Sequence, residues 1–578
     1  MRRALRPVGT PAPAVFSCHA IARLWLLRKA CWMGSRRALA TARTFQTRSA
    51  DRTQEMPSPD PARWLLSPLR IACMLAVLCL GTASVAAQPL TLADTPWHRS
   101  SEALAAHQEI FPAYRPGLWR AASNPAGLSA AAFPVQGWAQ FSAGDIGGPL
   151  QRPQHPEGLQ FARLNAAGAA TINDWHSYGA FSFTRREDRR VAWSAVEDPH
   201  DRMAYVWADS IGGAWYRNHV EMAGALGSPQ FLGRMRGGIR VYYRVGQGAR
   251  RNDPRPQYRS RTVGLLPGLS IDLSASHTMG VHAVLRWELE ENDFGLFTTD
   301  DPFVYRLRGF GTFDRTQIVR GTRTTSGARV GGGAQYAFSG ARWQADLSGR
   351  YVAGVDSVRD GIRAPAFGGR HAVQEASLRG ALLHDRERHS ARLQIDAGWW
   401  EGRGTDPVFQ AVNLISENAY IHATTELWSG NNRASSAWGV ALILRADEVS
   451  RRDVVSQTAW NVTSLRTGIG GWLQRPLSDH FQLHLRPAIM RYAPLREDYQ
   501  ARNPSHLTGE LVAPDHAFHQ HARWAGQLRV AVGWRPADQT EERLRVSLDG
   551  AYSRTAPAAG IGERYALWLT LTLLSSAS

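Results

Sequence analysis

The chain has 578 residues, 44% of them hydrophobic, with 67 Lys and Arg against 49 Asp and Glu, a formal charge of +18. That excess does not mark a nucleic-acid binder: residues 1–87 hold thirteen basic residues and three acids, and beyond them the signs are mixed along every stretch. All four cysteines, Cys18, Cys31, Cys73 and Cys79, lie in that same N-terminal part, which excludes disulfide staples, Cys-ligated zinc and a Cys nucleophile elsewhere.

Residues 1–55 carry ten basic residues before the first acid, Asp51. They read as an extension ahead of a start at Met56, with an Arg-rich transit peptide as the alternative. Residues 56–87 read as a secretory signal peptide. Arg63 and Arg70 precede the apolar run Ile71–Leu80, and Val85-Ala86-Ala87 supplies small residues for cleavage before Gln88. The run is too short to cross a membrane as a helix, and no later stretch approaches eighteen continuous apolar residues. Residues 88–132, rich in Ala and Pro, read as a periplasmic segment or a plug.

From about residue 133 to 578 the pattern has period two. On Arg392–Trp400, Leu393, Ile395, Ala397 and Trp399 share one face, and Gln394, Asp396 and Gly398 the other. The same alternation runs through Ile239–Arg244, Leu269–Ala275, Val281–Leu289, Trp343–Tyr351, Ile421–Leu427, Leu528–Trp534, Leu544–Tyr552 and Tyr565–Leu573. Short polar turns such as Ser276–Gly280 and Gln474–His480 alternate with longer loops such as Gly354–Ala372 and Ala493–Arg523. Strands of roughly ten residues, one apolar face, and turns alternating with loops describe a transmembrane antiparallel up-and-down β-barrel. The expected number is about 18 strands, within 16 to 20. Sixteen of them follow Arg236 if a weak strand covers Thr316–Arg323; residues 197–235 are ambiguous. Trp287, Trp399, Trp400, Trp428, Trp472, Trp534 and Tyr552 lie near strand ends, where a membrane barrel keeps its aromatic girdles.

Facing the apolar side, Arg240, Arg244, Asp272, Arg286, Glu288, Asp346, Arg350, Asp396, His422, Glu426, Arg529, Arg545 and Asp549 are the candidate lumen lining. They can act as a selectivity surface or as structural ion pairs that fill the lumen. Arg250–Arg261, with five arginines, suits lipopolysaccharide phosphates or an acidic partner, and Glu290–Asp301 is its acidic counterpart, so the two could fold together over the mouth. His516, His519 and His521 read as a solvated His-rich loop rather than a metal site. Asp479-His480 and Asp515-His516 lack the partners that a rim hydrolase needs.

Asn124-Pro125-Ala126-Gly127-Leu128 resembles the opening motif of barrels related to the long-chain fatty-acid transporters. Ala208-Asp209-Ser210-Ile211-Gly212-Gly213 and Arg251-Asn252-Asp253-Pro254-Arg255-Pro256 resemble signatures of an uncharacterised bacterial outer-membrane barrel family, a domain of unknown function. The resemblance implies the same fold and compartment and brings no substrate or binding residue. The expectation is a bacterial outer-membrane protein, not an enzyme, acting as a passive pore or transporter for small polar or amphipathic solutes. The alternative is a structural or docking barrel for a surface or secretion assembly, and a rim-sited hydrolase comes third. No cofactor and no metal are implied. The expected partners are outer-membrane lipid, lipopolysaccharide and a periplasmic or surface protein, with no nucleic acid.

Overall fold

The structure, a computed structural model, describes residues 117–119, 124–131, 137–200, 205–295, 303–317, 320–361, 363–386, 389–429, 436–537, 542–556 and 562–575. The N-terminal extension (1–55), the signal peptide (56–87) and most of the segment 88–132 lie outside the described residues.

Among the described residues twenty-one strands follow one another. They are β1 (Gly137–Gly147), β2 (Gly158–Ile172), β3 (Trp175–Val191), β4 (Trp207–Ala208), β5 (Gly213–Gly227), β6 (Met235–Arg250), β7 (Gln257–Asp272), β8 (His277–Gly295), β9 (Phe303–Leu307), β10 (Phe313–Gln317) and β11 (Arg320–Ser339). Then come β12 (Trp343–Asp360), β13 (Ala366–Asp385), β14 (His389–Thr405), β15 (Val412–Ser429), β16 (Ala437–Asp453), β17 (Thr458–Pro476), β18 (Phe481–Ala501), β19 (Arg523–Trp534), β20 (Leu544–Thr555) and β21 (Glu563–Ser575). Eighteen form one antiparallel sheet in which each strand pairs with its neighbours in sequence. The sheet closes where β1 pairs with β21, from Gly137 opposite Ser575 to Gly147 opposite Tyr565. Closure leaves no open edge and satisfies every ladder inside the wall, the condition for crossing lipid with strands.

The outer face is apolar and exposed. On β6, Ile239, Val241 and Tyr243 are exposed, whereas Arg240 between them is buried. β20 and β21 add Val546, Leu548, Leu567, Leu569, Leu571 and Leu573 to the same belt. An uncovered belt of this extent belongs against lipid tails. Trp175, Trp343, Trp438, Phe481 and Trp534 rim it at the short-turn end, and Trp524, Tyr552 and Tyr565 rim it toward the loops. Three of the aromatics assigned to the girdles turn inward instead, among them Trp428, which stands opposite the buried Ser390 and Gly439. The Trp400 ring lies 6.3 Å from His371, and Trp472 Nε1 donates to Glu426 at 3.1 Å.

The wall strands are longer than the ten residues expected, from 11 in β1 to 21 in β18. A bilayer needs about 9–11 residues. The surplus carries polar side chains, such as Arg496, Glu497 and Asp498 on β18, beyond the loop end of the belt.

The count of sixteen strands after Arg236 is corrected. β6–β8 and β11–β21 supply fourteen to the wall, and β1, β2, β3 and β5 supply four. The region around Phe303 and Thr316 forms β9 and β10, which pair with β4 in a separate three-stranded sheet. Val304, Tyr305 and Leu307 are all buried, so this strand is apolar on both faces and cannot sit in a wall with one wet side. Trp193, Val196, Val206, Tyr305, Leu307, Leu507 and Leu511 pack together as the core of this inward-folded cap. A turn of π-helix (Thr508–Val512) and helix α1 (Ala513–Gln520) complete it.

At the opposite end a 3₁₀ helix, Pro125–Ala130, lies inside the barrel. Asn124 caps it by accepting from the Ala126 N–H at 3.0 Å, and Nδ2 donates to Gln335 at 2.7 Å and to the Val281 carbonyl at 3.2 Å. Trp119 and Leu128 pack against Trp138, Ala167, Tyr178, Ala225 and Leu574. Gly238 makes the close approach feasible, since a Cβ there would stand 2.6 Å from the Pro125 carbonyl oxygen.

Candidate functional site

The predicted lining residues all lie on the inward face, and the structure gives most of them partners. Arg244 pairs with Glu197 at 3.1 Å, Asp272 with Arg236 at 2.7 Å, and Arg350 with Glu375 at 3.8 Å. Glu288 stands 3.2 Å from Arg286 and 2.9 Å from Arg329. Asp396 pairs with Arg379 at 2.5 Å, Glu426 with Arg392 at 2.6 Å, Arg545 with Glu542 at 2.6 Å, and Arg529 with Asp549. His422 shares a hydrogen bond with Thr424 at 3.2 Å, and Asp346 accepts from the Gly117 N–H at 3.2 Å. Arg240 is the exception: it is 8% exposed and forms no ion pair among the described residues. Glu542, in the turn before β20, is held at about 2: burial works the other way, and Arg545 and His484 outweigh it.

The register turns some of these residues into a band. Arg379, Asp396, His422, Arg445, Arg466 and Tyr492 stand opposite one another in turn across β13–β18. Sequence spacing alone could not show this, because register depends on how each strand pairs.

Sequence reasoning missed the groups that seat the cap. Three aspartates use one arrangement. Asp209 Oδ1 accepts from the N–H groups of Ile211 and Gly212 at 3.1 Å each, while Oδ2 takes Arg250 at 2.7 Å. Asp406 Oδ1 accepts from Val408 and Phe409 at 2.7 and 2.8 Å, and the carboxylate receives the Arg308 fork at 3.0 and 3.1 Å. Asp453 Oδ1 accepts from Val455 and Ser456 at 3.0 and 3.1 Å, and Oδ2 from Gly311 and Thr312 at 3.0 and 3.1 Å. Each side chain closes its own turn with one oxygen and ties a second segment with the other. A leading Asp in a tight loop is the signal that was available. The resemblance motifs meet here too, since Asp209 pairs with Arg250 and a Cβ on Gly213 would touch Asn252 at 3.1 Å.

The His-rich loop is corrected: it is not solvated. His516 and His519 are 7% and 8% exposed on α1, where Trp460 stacks on His519 at 5.4 Å and Tyr499 lies 5.0 Å from His516. Asp515 receives Arg152 at 2.8 and 3.2 Å. Burial would raise its carboxyl, but the Arg152 guanidinium holds it well below the ordinary carboxylate range. His155 and His200 adjoin this clasp with their rings 4.6 Å apart. Burial, above all, keeps both imidazoles neutral, His200 at about 3. Among the described residues no group of three or more His, Cys, Asp or Glu is placed to share a metal ion. Asp479-His480 lies in the turn between β17 and β18, far along the chain from any of these groups. The two facing segments meet at Arg261 and Glu291, 3.7 Å apart on neighbouring strands β7 and β8, and residues 296–301 lie outside the described residues.

Below the cap lies a small cavity of about 70 Å³. Glu197, Asp198 and Tyr205 line it from the cap, and Arg244, Glu288, Glu290, Arg329, Asp356 and His371 from the wall. Its walls carry both signs of charge.

No curated protein matches the chain. Several solved outer-membrane barrels are similar in fold. The ferric preacinetobactin receptor BauA of Acinetobacter baumannii is 8% identical, with TM-score 0.35 over 76% of this chain and 80% of that one. A Pseudomonas aeruginosa FadL homologue is 9% identical, with TM-score 0.30 over 78% and 92%. The outer membrane transporter YddB of Escherichia coli is 7% identical, with TM-score 0.34 over 77% and 81%. These figures are too low to carry more than the likeness itself. Residues 125–574, from the proline of the lumenal 3₁₀ helix to the last turn of β21, match one protein family across the whole barrel, and the chain therefore belongs to the family of unknown function DUF6850.

Proposed function

We propose that this protein is a bacterial outer-membrane transporter for small polar or amphipathic solutes, with a capped mouth in its resting state. The short turns face the periplasm and the loops face outward. The observation that carries this reading is the cavity of about 70 Å³ with charged walls directly beneath an inward-folded cap. A barrel serving only as a wall or a dock needs no free polar volume behind its loops. Exposed Arg185, Arg259 and Arg261, just above the apolar belt, suit lipopolysaccharide phosphates. The docking reading keeps one observation in its favour, the dense ion pairing of the lumen wall.

Planar-bilayer recording of protein purified from membranes tests the proposal. The expected trace is long closures with rare steps, becoming frequent when the cap is loosened by Arg250→Ala. Silence from both proteins, each shown to be folded and inserted, together with no solute flux into vesicles, would sink it.

A further inference from the structure

Several buried hydrogen-bond donors without acceptors gather on one side of the lumen, between the 3₁₀ helix and the cavity. Arg240 Nε has no acceptor, and the charge of Arg240 has no carboxylate partner among the described residues. Arg286, two strands away, stands 3.2 Å from Glu288, yet its Nε and Nη2 have no acceptor, because the angle does not suit a hydrogen bond. Glu288 is in any case shared with Arg329 at 2.9 Å. The Trp119 indole N–H, buried and also without an acceptor, belongs to a ring 5.9 Å from the Arg240 guanidinium.

Tyr242 bridges the two arginines. The register sets Gly264 opposite both Tyr242 and Arg286, and only a glycine at 264 leaves room for the Tyr242 ring to lie across β7. The ring rests on an apolar patch of Leu266, Val284 and Val352. That footing leaves the phenol within electrostatic reach of Arg286, Arg240 and Arg350, and of one carboxylate, Glu288.

Each of these orphans is a donor, and three guanidinium groups surround Tyr242 against the single carboxylate of Glu288. Water would satisfy the donors but not the charge. A group with two or three anionic oxygens satisfies both, and guanidinium forks suit it in geometry. We propose that Arg240, Tyr242 and Arg286 form an oxyanion subsite on the lumen wall, which takes the carboxylate or phosphate of a small solute. This deepens the transporter reading and rests on it only for how the solute arrives.

Calorimetry on the purified full-length protein, titrated separately with inorganic phosphate and with benzoate, tests the site without requiring transport. Saturable binding is expected for at least one probe, and the probe that binds identifies phosphate or carboxylate as the group taken. Affinity should fall roughly tenfold or more in Arg240→Gln and again in Arg286→Gln, with Arg240→Lys intermediate. Arg475→Gln, exposed near the turn end of β17 far around the wall, should bind as the parent does. Heat-modifiable migration on gels establishes that each variant is a closed barrel. Absence of saturable binding for both probes, or unchanged affinity in both folded glutamine variants, would overturn the subsite. Binding that meets these expectations in a protein with no conductance and no flux supports the subsite and removes only the transporter reading.

Discussion

Arg250→Ala should open the cap and leave the barrel standing. Arg250 ends β6 and Asp209 follows β4, and both side chains are fully buried, 2.7 Å apart. Truncation leaves the Asp209 carboxylate in place with only the Ile211 and Gly212 N–H groups as partners. Breaking a buried pair from one side costs about 3–5 kcal/mol, because the remaining charge is desolvated and uncompensated. At about 1.4 kcal/mol per factor of ten, that is a rise of roughly a hundredfold to a few thousandfold in the opened population. The cost falls on the cap because β6 keeps its ladders with β5 and β7, whereas release of the segment takes Asp209 into water. Hydrogen exchange of residues 192–200 and 205–212 should accelerate by about that factor, with the barrel strands unchanged. Removing both partners together, Arg250→Ala with Asp209→Ala, should cost less than Arg250→Ala alone. Cap exchange within threefold of the parent would refute the reasoning. So would loss of the folded barrel along with the cap.

Gly238→Ala should expel the 3₁₀ helix, since the new methyl meets the Pro125 backbone, which has no rotamer with which to move aside; faster proteolysis of the N-terminal segment, with unchanged barrel migration, is the readout. Asn124→Ala should loosen the same segment by about 1–3 kcal/mol, because it removes the bonds to Gln335 and Val281 and the N-cap. Combined with Gly238→Ala it should add little, both acting on one segment. Acid should open the mouth. His155 and His200 are held neutral in the closed cap by burial first and by nearby Arg152 as well, and an opened loop returns them to the ordinary range near 6.5. Their contribution is therefore complete above about pH 6.5 and is lost as pH falls toward 3. The loss is about 1.4 kcal/mol per pH unit for each imidazole, less what partial exposure returns to solvent. Cap exchange or channel opening measured from pH 7.5 to 4.5 should rise in the parent and flatten in a His155→Gln, His200→Gln double variant.

The wall was legible in the chain because a strand between lipid and a wet lumen must alternate with period two, and Ile239–Arg244 or Val281–Leu289 can do so in only one way. The inward residues, from Arg240 to Asp549, follow from the same parity. Trp400, Trp428 and Trp472 were misplaced because position near a strand end does not fix the face; parity does. The cap escaped because its apolar residues, Trp193, Val206, Tyr305 and Leu507, come from three separate loops and show no period of their own. β9 mimics a weak wall strand in sequence and differs in burying Val304 on one face and Tyr305 and Leu307 on the other. His516 and His519 read as solvated because nothing in their spacing reveals Trp460 and Tyr499, which cover them. The sequence by itself determined the closed antiparallel barrel and which side chains face inward, since local alternation and turn chemistry are nearest-neighbour properties. The tertiary structure alone decided which of those charges are paired, that the mouth is capped, and that Arg240 is left without a carboxylate, because each of these depends on register and on loops that meet only after the barrel has closed.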